Sequence, residues 1–440
     1  MGISNLRYRS FVVLEEHTLK KDPGGPRWYK STLAVDRRRA RIPKLIKVTD
    51  RMYSAVGYAI SNVIYVLSDK SVIVIDTTES TAAAAASLAD FRKFCQLPIR
   101  YIIYTHFHGD HISGASAFWT PSTIVIAQKG ILAEIKKNDL LLPYRKRMTR
   151  HQFGFKRVLW RGPESRNRHP EFGYVSPDIV FDEEYRFEEG RVRFELYHTM
   201  GETLDHLMVW LPDEQVLLPG DLFYRSFPML SNPMRPDRPV LEWAESLERM
   251  RALQARHLIP SHGTPISGAE EIDLTLANYG KAIRHIHDET VNLINSGLGL
   301  EEILHRVRLP KYLAELPYLQ EHYGKVDWAI RGIFRQYTGW YSFDPKELKP
   351  SPRAILDNAL IEACGGVEAL IARARKALAD DQPQLALELV DIVIAARPGS
   401  RRAHSVRVKA LSRLIAAATN GVERNIYKTA LRRAQRNGNN

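Results

Sequence analysis

A layered α/β fold followed by an all-helical region is predicted by a change of pattern along the chain. From Ile46 to about residue 218 the sequence consists of short apolar, β-rich runs, with one alanine-rich helical stretch, Thr81 to Phe94, among them. After about residue 270 such runs stop, and apolar residues recur at helical spacing between Gly and Pro breaks. Strands that resume after a helix form a sheet whose faces must be buried by another layer, and this is the basis of the α/β assignment.

Residues 1–41 are polar and basic, with a turn signalled at Pro23-Gly24-Gly25-Pro26, and read as an N-terminal arm. Strands are predicted at Met52 to Val56, Val63 to Leu67, Val72 to Ile75, Ile102 to Tyr104 and Ile124 to Ile126. A second set follows at Tyr185 to Phe187, Val192 to Tyr197, Leu207 to Leu211 and Val216 to Leu218. Helices are predicted at Ile283 to Ile294, Leu300 to Val307, Val326 to Tyr337 and Ile355 to Ile361. Val367 to Ala379, Gln384 to Ala396 and Ser400 to Ala416 read as one tetratricopeptide-like helix pair plus a further helix. So short an array does not cap itself, and a second copy of the chain is the expected partner. The predicted division is an arm at 1–41, a catalytic domain at 42–272 and a helical domain at 273–440.

With 440 residues, 44% hydrophobic and 26% charged, the chain has the composition of a folded globular protein and not of a disordered one. No apolar run reaches the roughly 20 residues of a membrane helix. Met1 to Arg9 lacks the apolar segment and cleavage site of a signal peptide, so a cytoplasmic location is expected. Cys95 and Cys364 lie far apart without CxxC spacing, so neither a disulfide framework nor thiolate metal ligation is implied. The net charge of +13 concentrates in Arg37 to Arg41, Arg145 to Arg168 and Arg401 to Arg436. No nucleic-acid-binding signature accompanies these clusters, and solvated faces are expected in preference to a nucleic-acid surface.

The chemistry is concentrated in Thr105-His106-Phe107-His108-Gly109-Asp110-His111, which follows the strand-like Ile102 to Tyr104. Along extended backbone, His106 and His108 project to one side and can grip one metal. Asp110 and His111 lie just beyond, where a turn can swing both toward a second metal. Imidazole and carboxylate donors suit zinc, although Mn, Fe, Co or Ni accept the same set. Three later segments deliver one donor each beside an apolar run: Glu202 in Gly201-Glu202-Thr203-Leu204-Asp205-His206, Asp221 in Leu217-Leu218-Pro219-Gly220-Asp221, and His262 in Pro260-Ser261-His262-Gly263.

His106, His108, Asp110, His111, Asp221 and His262 match the ligand positions of the metallo-β-lactamase-fold hydrolases, and the chain resembles that superfamily, whose αββα sandwich holds two metals at the edge of its sheets. Most members carry a histidine at position 202, in a His-Thr-x-Gly-His string. The glutamate found here resembles the zinc-dependent alkylsulfatase branch. Arg145-Lys146-Arg147-Met148, Phe153-Gly154-Phe155 and Arg161-Gly162-Pro163 resemble a segment that those enzymes carry beside the active site. His287-Asp288-Glu289-Thr290, Tyr323-Gly324, Arg331 with Tyr337 to Tyr341, and the helix pair after Gly365-Gly366 resemble their dimerisation domain. The resemblance thus extends over about residues 45 to 435.

Two features differ. Pro219-Gly220-Asp221 stands where those enzymes usually have Ala-Glu-Asn, and Leu222 to Phe227 replaces a His-rich segment on the sulfate side. The sequence ends at Asn440 without the sterol-carrier-like domain of longer relatives, which bears on whether a long-chain surfactant is the substrate.

The resemblance implies two Zn2+ ions, a homodimer, and hydrolysis of an anionic alkyl sulfate ester to alcohol and sulfate by a metal-bound hydroxide. His106, His108 and Glu202 are expected on one metal and Asp110, His111 and His262 on the other, with Asp221 bridging or completing the second. Asp110 is also expected to take part in catalysis. Relative to histidine, Glu202 adds negative charge, which should hold its metal more tightly and make it a weaker Lewis acid. Asp76 and His206 are expected to support the ligands from behind. Arg225, Arg235 and Arg238 are the expected sulfate contacts, because a guanidinium fork suits an oxyanion. Tyr224, with Phe223, Phe227, Met229 and Leu230, is expected along a leaving-group channel. Hydrolysis of another ester (phosphodiester, lactone or thioester) and nuclease-like binding of nucleic acid are the alternatives.

Overall fold

The computed structural model describes residues 43–154, 173–341 and 344–439. The predicted N-terminal arm, with Arg37 to Arg41, and the Arg161-Gly162-Pro163 stretch lie outside the described residues.

Seven strands form the first sheet in chain order: β1 (Lys44–Thr49), β2 (Met52–Val56), β3 (Val63–Leu67), β4 (Val72–Ile75), β5 (Ile99–Ile103), β6 (Ile124–Gln128) and β7 (Ile179–Phe181). Neighbours from β1 to β4 are antiparallel, and those from β4 to β7 are parallel. The second sheet contains β8 (Glu184–Glu189), β9 (Val192–His198), β10 (Leu207–Leu211), β11 (Val216–Leu218), β12 (His257–Leu258) and β13 (Ile266–Ser267), ordered β13-β12-β11-β10-β9-β8.

The period of two along extended backbone decides how the sheets stack. Ile64, Val66, Ile73 and Ile75 face the second sheet and meet Leu207, Val209, Leu211, Val216 and Leu218 in a core between the sheets. Val63, Tyr65, Val72 and Val74 point the other way, into a core shared with the helices α1 (Thr81–Phe91), α2 (Gly109–Ile112) and α3 (Ile131–Leu140). On the far side, Met208, Trp210 and Leu217 pack against α5 (Val240–Ala252) and α6 (Ala269–Asn295); α4 (Leu142–Phe153) follows α3 directly. Four layers result, αββα, and continuous apolar runs such as Val72–Ile75 are strands buried on both faces.

Helix α1 starts where Ser80, in extended conformation, accepts the Ala83 amide at 3.2 Å. It ends at Phe91, short of the predicted Phe94, where the chain turns toward β5 and Arg92 donates to the Cys95 and Leu97 carbonyls.

The helical region comprises α7 (Leu300–Arg306), α8 (Lys311–Ala314), α9 (Val326–Thr338), α10 (Arg353–Ala363), α11 (Val367–Ala379), α12 (Pro383–Ala396), α13 (Arg401–Ala417) and α14 (Gly421–Asn439). Helix α6 runs across residue 272, and its Ile283 and Ile286 share one core with Trp210 of the sheet and Ile330 and Ile333 of α9. A second core, with Leu370, Ile371, Val390, Val393 and Val406, joins α11, α12 and α13. Beyond the predicted pair and further helix stands α14, which packs on α13 and returns to α4. The sequence hides it because few apolar residues hold it: Val422 and Ile426 meet Met148, Met229 and Met234. Polar anchoring supplies the rest. Buried Asn420 accepts the Val422 and Glu423 amides and donates to the carbonyls of Glu321, Tyr323 and Gly324. Among the described residues no helix is long and apolar enough to cross a membrane.

Phe91 is fully buried, stacked on Tyr65 with ring centroids 4.0 Å apart and edge-on to Tyr53. Phe91→Ala is expected to cost about 3–5 kcal/mol, read as a lower denaturation midpoint at an unchanged slope. A shift worth under about 1 kcal/mol would contradict this packing.

Candidate metal centre

All seven predicted donors meet at one edge of the sandwich, because each follows a strand that ends there. Tyr104 and Thr105 carry the chain over the edge after β5, His106 and His108 follow, and the single turn of α2 folds Asp110 and His111 inward. Glu202 lies between β9 and β10, Asp221 follows β11, and His262 follows β12.

Two groups of donors result, His106, His108, Glu202 and Asp221 in one and Asp110, His111 and His262 in the other, with ligand atoms within 4.8 Å of one another in each. In the first, His106 Nε2 is 2.9 Å from His108 Nδ1, and His108 Nδ1 is 3.5 Å from Glu202 Oε1. In the second, Asp110 Oδ2 lies 3.6 Å from His111 Nε2 and 3.5 Å from His262 Nε2. Asp221 stands between them. Its Oδ2 is 3.9 Å from His106 Nε2 and 3.4 Å from His111 Nε2, and its Oδ1 is 3.2 Å from His262 Nε2.

Three imidazoles are oriented from behind. His111 Nδ1 bonds Asp76 Oδ2 at 2.7 Å, His262 Nδ1 bonds the Ile60 carbonyl at 3.0 Å, and His106 Nδ1 bonds the Thr105 hydroxyl at 3.0 Å. In each case Nε2 is left facing the cluster, the arrangement that fixes a metal-binding tautomer. Asp76 is fully buried and accepts the Thr105 amide, the Thr105 and Ser261 hydroxyls and His111 together. Its φ of 56° is costly for a residue with a Cβ, and this web of bonds holds it. Glu79 accepts the Ile60 amide and so supports the carbonyl behind His262. Thr105, Ser261 and Glu79 are absent from the predicted set. The one signal for the first two is that each directly precedes a donor histidine.

The donors fit divalent cations. His111 Nε2 and Asp221 Oδ1 are buried and make no well-aligned hydrogen bond; their nearest polar neighbours are other donors of the cluster, Asp221 Oδ2 at 3.4 Å and His262 Nε2 at 3.2 Å. Burial drives the His106 and His108 imidazoles well below their usual range, which leaves them neutral and able to coordinate. Burial also opposes charge on His262, but Asp221 and Asp110 prevail and raise it to about 9. For Asp221 the penalty of burial is overcome by His262 and His111, which hold the carboxyl well below its usual range. Neutral imidazoles beside carboxylates are a donor set apt for a divalent metal.

His206 faces the cluster with no free nitrogen for it: Nε2 accepts the Asp221 amide at 3.1 Å and the ring lies against His106. This contact fixes the turn that presents Asp221. Gly220 is required there, because φ is 56° and a Cβ would lie 2.5 Å from His206 Nε2. His198 lies apart, bonded to the Leu204 carbonyl.

Among the predicted substrate contacts, Arg238 is buried and forms an ion pair with Glu202 Oε2, so that the two oxygens of Glu202 face opposite ways, Oε1 toward His108 and Oε2 toward the guanidinium. Burial pushes the Glu202 carboxyl up to about 8 against the pull of Arg238. Arg235 is pushed down to about 10 by burial, with Arg145 and Arg238 adding to it and Asp110 opposing, so these four charges act on one another. Arg225 donates to the Thr264 carbonyl and braces the loop after His262. The residues expected along a leaving-group channel are buried. Phe223, Tyr224, Phe227, Met229 and Leu230 are all at most 3% exposed and pack in hydrophobic clusters, and the Tyr224 hydroxyl accepts the Met229 amide. An apolar residue reads the same in a sequence whether it lines a pocket or fills a core.

A family model described as the metallo-beta-lactamase superfamily matches residues 56–262, and one described as alkyl sulfatase dimerisation matches residues 299–437. A linear primary-alkylsulfatase of Pseudomonas sp. is 31% identical over 380 residues, covering 81% of this chain and 71% of that protein. The alkyl/aryl-sulfatase BDS1 of Saccharomyces cerevisiae is 26% identical over 95% of this chain and 67% of its own length. Among solved structures, the stereoselective inverting sec-alkylsulfatase Pisa1 from Pseudomonas sp. superposes with a TM-score of 0.82 at 23% identity, over 90% of this chain and 66% of that one. The chain therefore spans about two thirds of that structure's length.

The αββα sandwich and the donors at its edge define a metallo-β-lactamase-superfamily protein. Within that superfamily, this chain belongs to the alkylsulfatase family.

Asp76→Asn keeps the shape but removes the charge shared by Thr105, His111 and Ser261. Metal affinity, measured by competition with a chelating dye, is expected to fall about 10–100-fold. Wild-type affinity in this variant would show that Asp76 orients nothing.

Proposed function

We propose that the protein is a dinuclear zinc hydrolase that cleaves alkyl sulfate esters to an alcohol and sulfate, and that it acts as a homodimer. The observation that carries this reading is the pair of donor groups sharing Asp221, with arginines beside them. His106, His108 and Glu202 would hold one cation, and Asp110, His111 and His262 the other, with Asp221 between. Bound there, the two cations would supply Lewis acidity, bringing the pKa of a water toward about 7 and polarising the ester.

The chain's own residues do the rest. Asp110 Oδ2 lies 3.6 Å from His111 Nε2 and 3.5 Å from His262 Nε2, among the donors, and its second oxygen would be the one to take the proton of the attacking water. His111, His262 and His106 are held by Asp76, Ile60 and Thr105 with their Nε2 atoms toward the cluster. We read Arg235 as the cation that meets the sulfate oxygens: its charge acts on Asp110 and Arg238 at the site, and its bonds to Gln152 and Thr149 use Nε and Nη2 and leave Nη1, whereas Arg238 is paired with Glu202. The matched dimerisation region and the relatives named alkylsulfatases support the dimer and the substrate class.

The test is hydrolysis of a primary alkyl sulfate and of bis-(p-nitrophenyl) phosphate by the metal-loaded protein. Sulfate release with little phosphodiesterase activity is expected. A protein holding two metals that releases no sulfate is not an alkylsulfatase. Glu202→Ala is expected to lower metal content below two per chain and abolish turnover, and a chelator should do the same to the wild type.

A further inference from the structure

Arg235 is held by groups that lie far along the chain from any donor. Its Nε donates to Gln152 Oε1 at 3.1 Å and its Nη2 to Thr149 Oγ1 at 2.8 Å, both on α4. Among the described residues no acceptor occupies Nη1. Gln152 is itself buried, 4% exposed, and its Nε2 donates to the Tyr323 hydroxyl at 3.0 Å. The carboxamide therefore has one usable orientation, oxygen toward the guanidinium and nitrogen toward the phenol.

The backbone of Gln152 is fixed from another direction. Its carbonyl accepts Asn425 Nδ2 at 2.9 Å, and Asn425 belongs to α14. The next turn is equally tight: at Gly154, where φ is 66°, a Cβ would come within 2.9 Å of Asn425 Oδ1. Helix α14 is in turn anchored by Asn420, which donates to the carbonyls of Glu321, Tyr323 and Gly324. Tyr323, Gln152, Arg235 and Asn425 thus form one unit spanning the sandwich, α4 and the last helix.

We propose that Gln152 is a positioning residue that aims Arg235 at the substrate's sulfate group, and that Asn425 on α14 clamps Gln152, so that the C-terminal helix sets the affinity for the anion. This rests on the reading of Arg235 as the sulfate contact. The helical region then acts on the site of its own chain in addition to any role in pairing two chains. Gln152→Leu keeps the volume but leaves Arg235 Nε without its acceptor, and a hydrogen bond to a charged group is worth enough that about a tenfold loss of anion affinity follows. Because Gln152 touches neither the donors nor the water, the loss falls on KM and not on kcat.

The experiment uses the full-length, metal-loaded protein, with hexyl sulfate kinetics and calorimetric titration of inorganic sulfate. Gln152→Leu is expected to raise KM and weaken sulfate binding by tenfold or more, with kcat within about threefold and metal content unchanged. Asn425→Ala is expected to move both in the same direction by at least threefold, and it carries the test alone if Gln152→Leu does not fold. In an Arg235→Ala background neither substitution should have a further effect. Equal effects with and without Arg235, unchanged KM and sulfate affinity, or a wild type that binds no sulfate each overturn the proposal. If alkyl sulfates are not hydrolysed but sulfate binding shows this Arg235-dependent loss, the positioning role stands and the alkylsulfatase reading fails. If they are hydrolysed and the variants bind sulfate normally, only the positioning role fails.

Discussion

The buried carboxylate of Asp76 is the constraint on which the rest of the site depends. It stands at the end of β4 and accepts from Thr105 after β5, from His111 on α2, and from Ser261 after β12. These segments come from both sheets, so a single side chain ties the two halves of the sandwich together at the edge where the donors converge. A buried carboxylate is tolerable only when its oxygens are satisfied, and here several donors share the two of them. The positive φ of Asp76 and of nearby Thr78 is the strain associated with placing that group there.

What could be read in the sequence divides along a physical line. Strands such as Val63–Leu67 and Leu207–Leu211 are legible because burial on both faces demands unbroken apolar runs, and each donor is legible because it directly adjoins such a run. Helix α5 is harder to read, although Val240, Trp243, Ala244, Leu247 and Met250 follow helical spacing, because Pro233, Pro236 and Pro239 precede it and suggest a loop. Helix α4 is rich in basic residues, and its one buried side chain is the polar Gln152, so its apolar pattern does not reveal the buried face. The supporting residues are hardest of all. Gln152 and Tyr323 are separated by 171 positions, and no local pattern shows that they touch.

The helical region also differs from a simple appendage. The core that covers the second sheet passes without a break into α6 and α9, so Trp243, Tyr279, Ile330 and Phe334 are buried together. Gly324 shows how close the approach is: a Cβ there would lie 2.3 Å from the Pro228 carbonyl oxygen. A shared core of this kind makes it difficult for one part to loosen without disturbing the other.

The ion pair between Glu202 and Arg238 makes the two positions depend on each other. Exchanging the glutamate for a neutral residue would take from the buried guanidinium its ion-pair partner, a change that typically costs several kcal/mol. Losing the arginine first would strand a buried carboxylate in its place. Neither replacement is neutral alone, so the two positions are coupled, and a change at one is expected to be tolerated only with a change at the other.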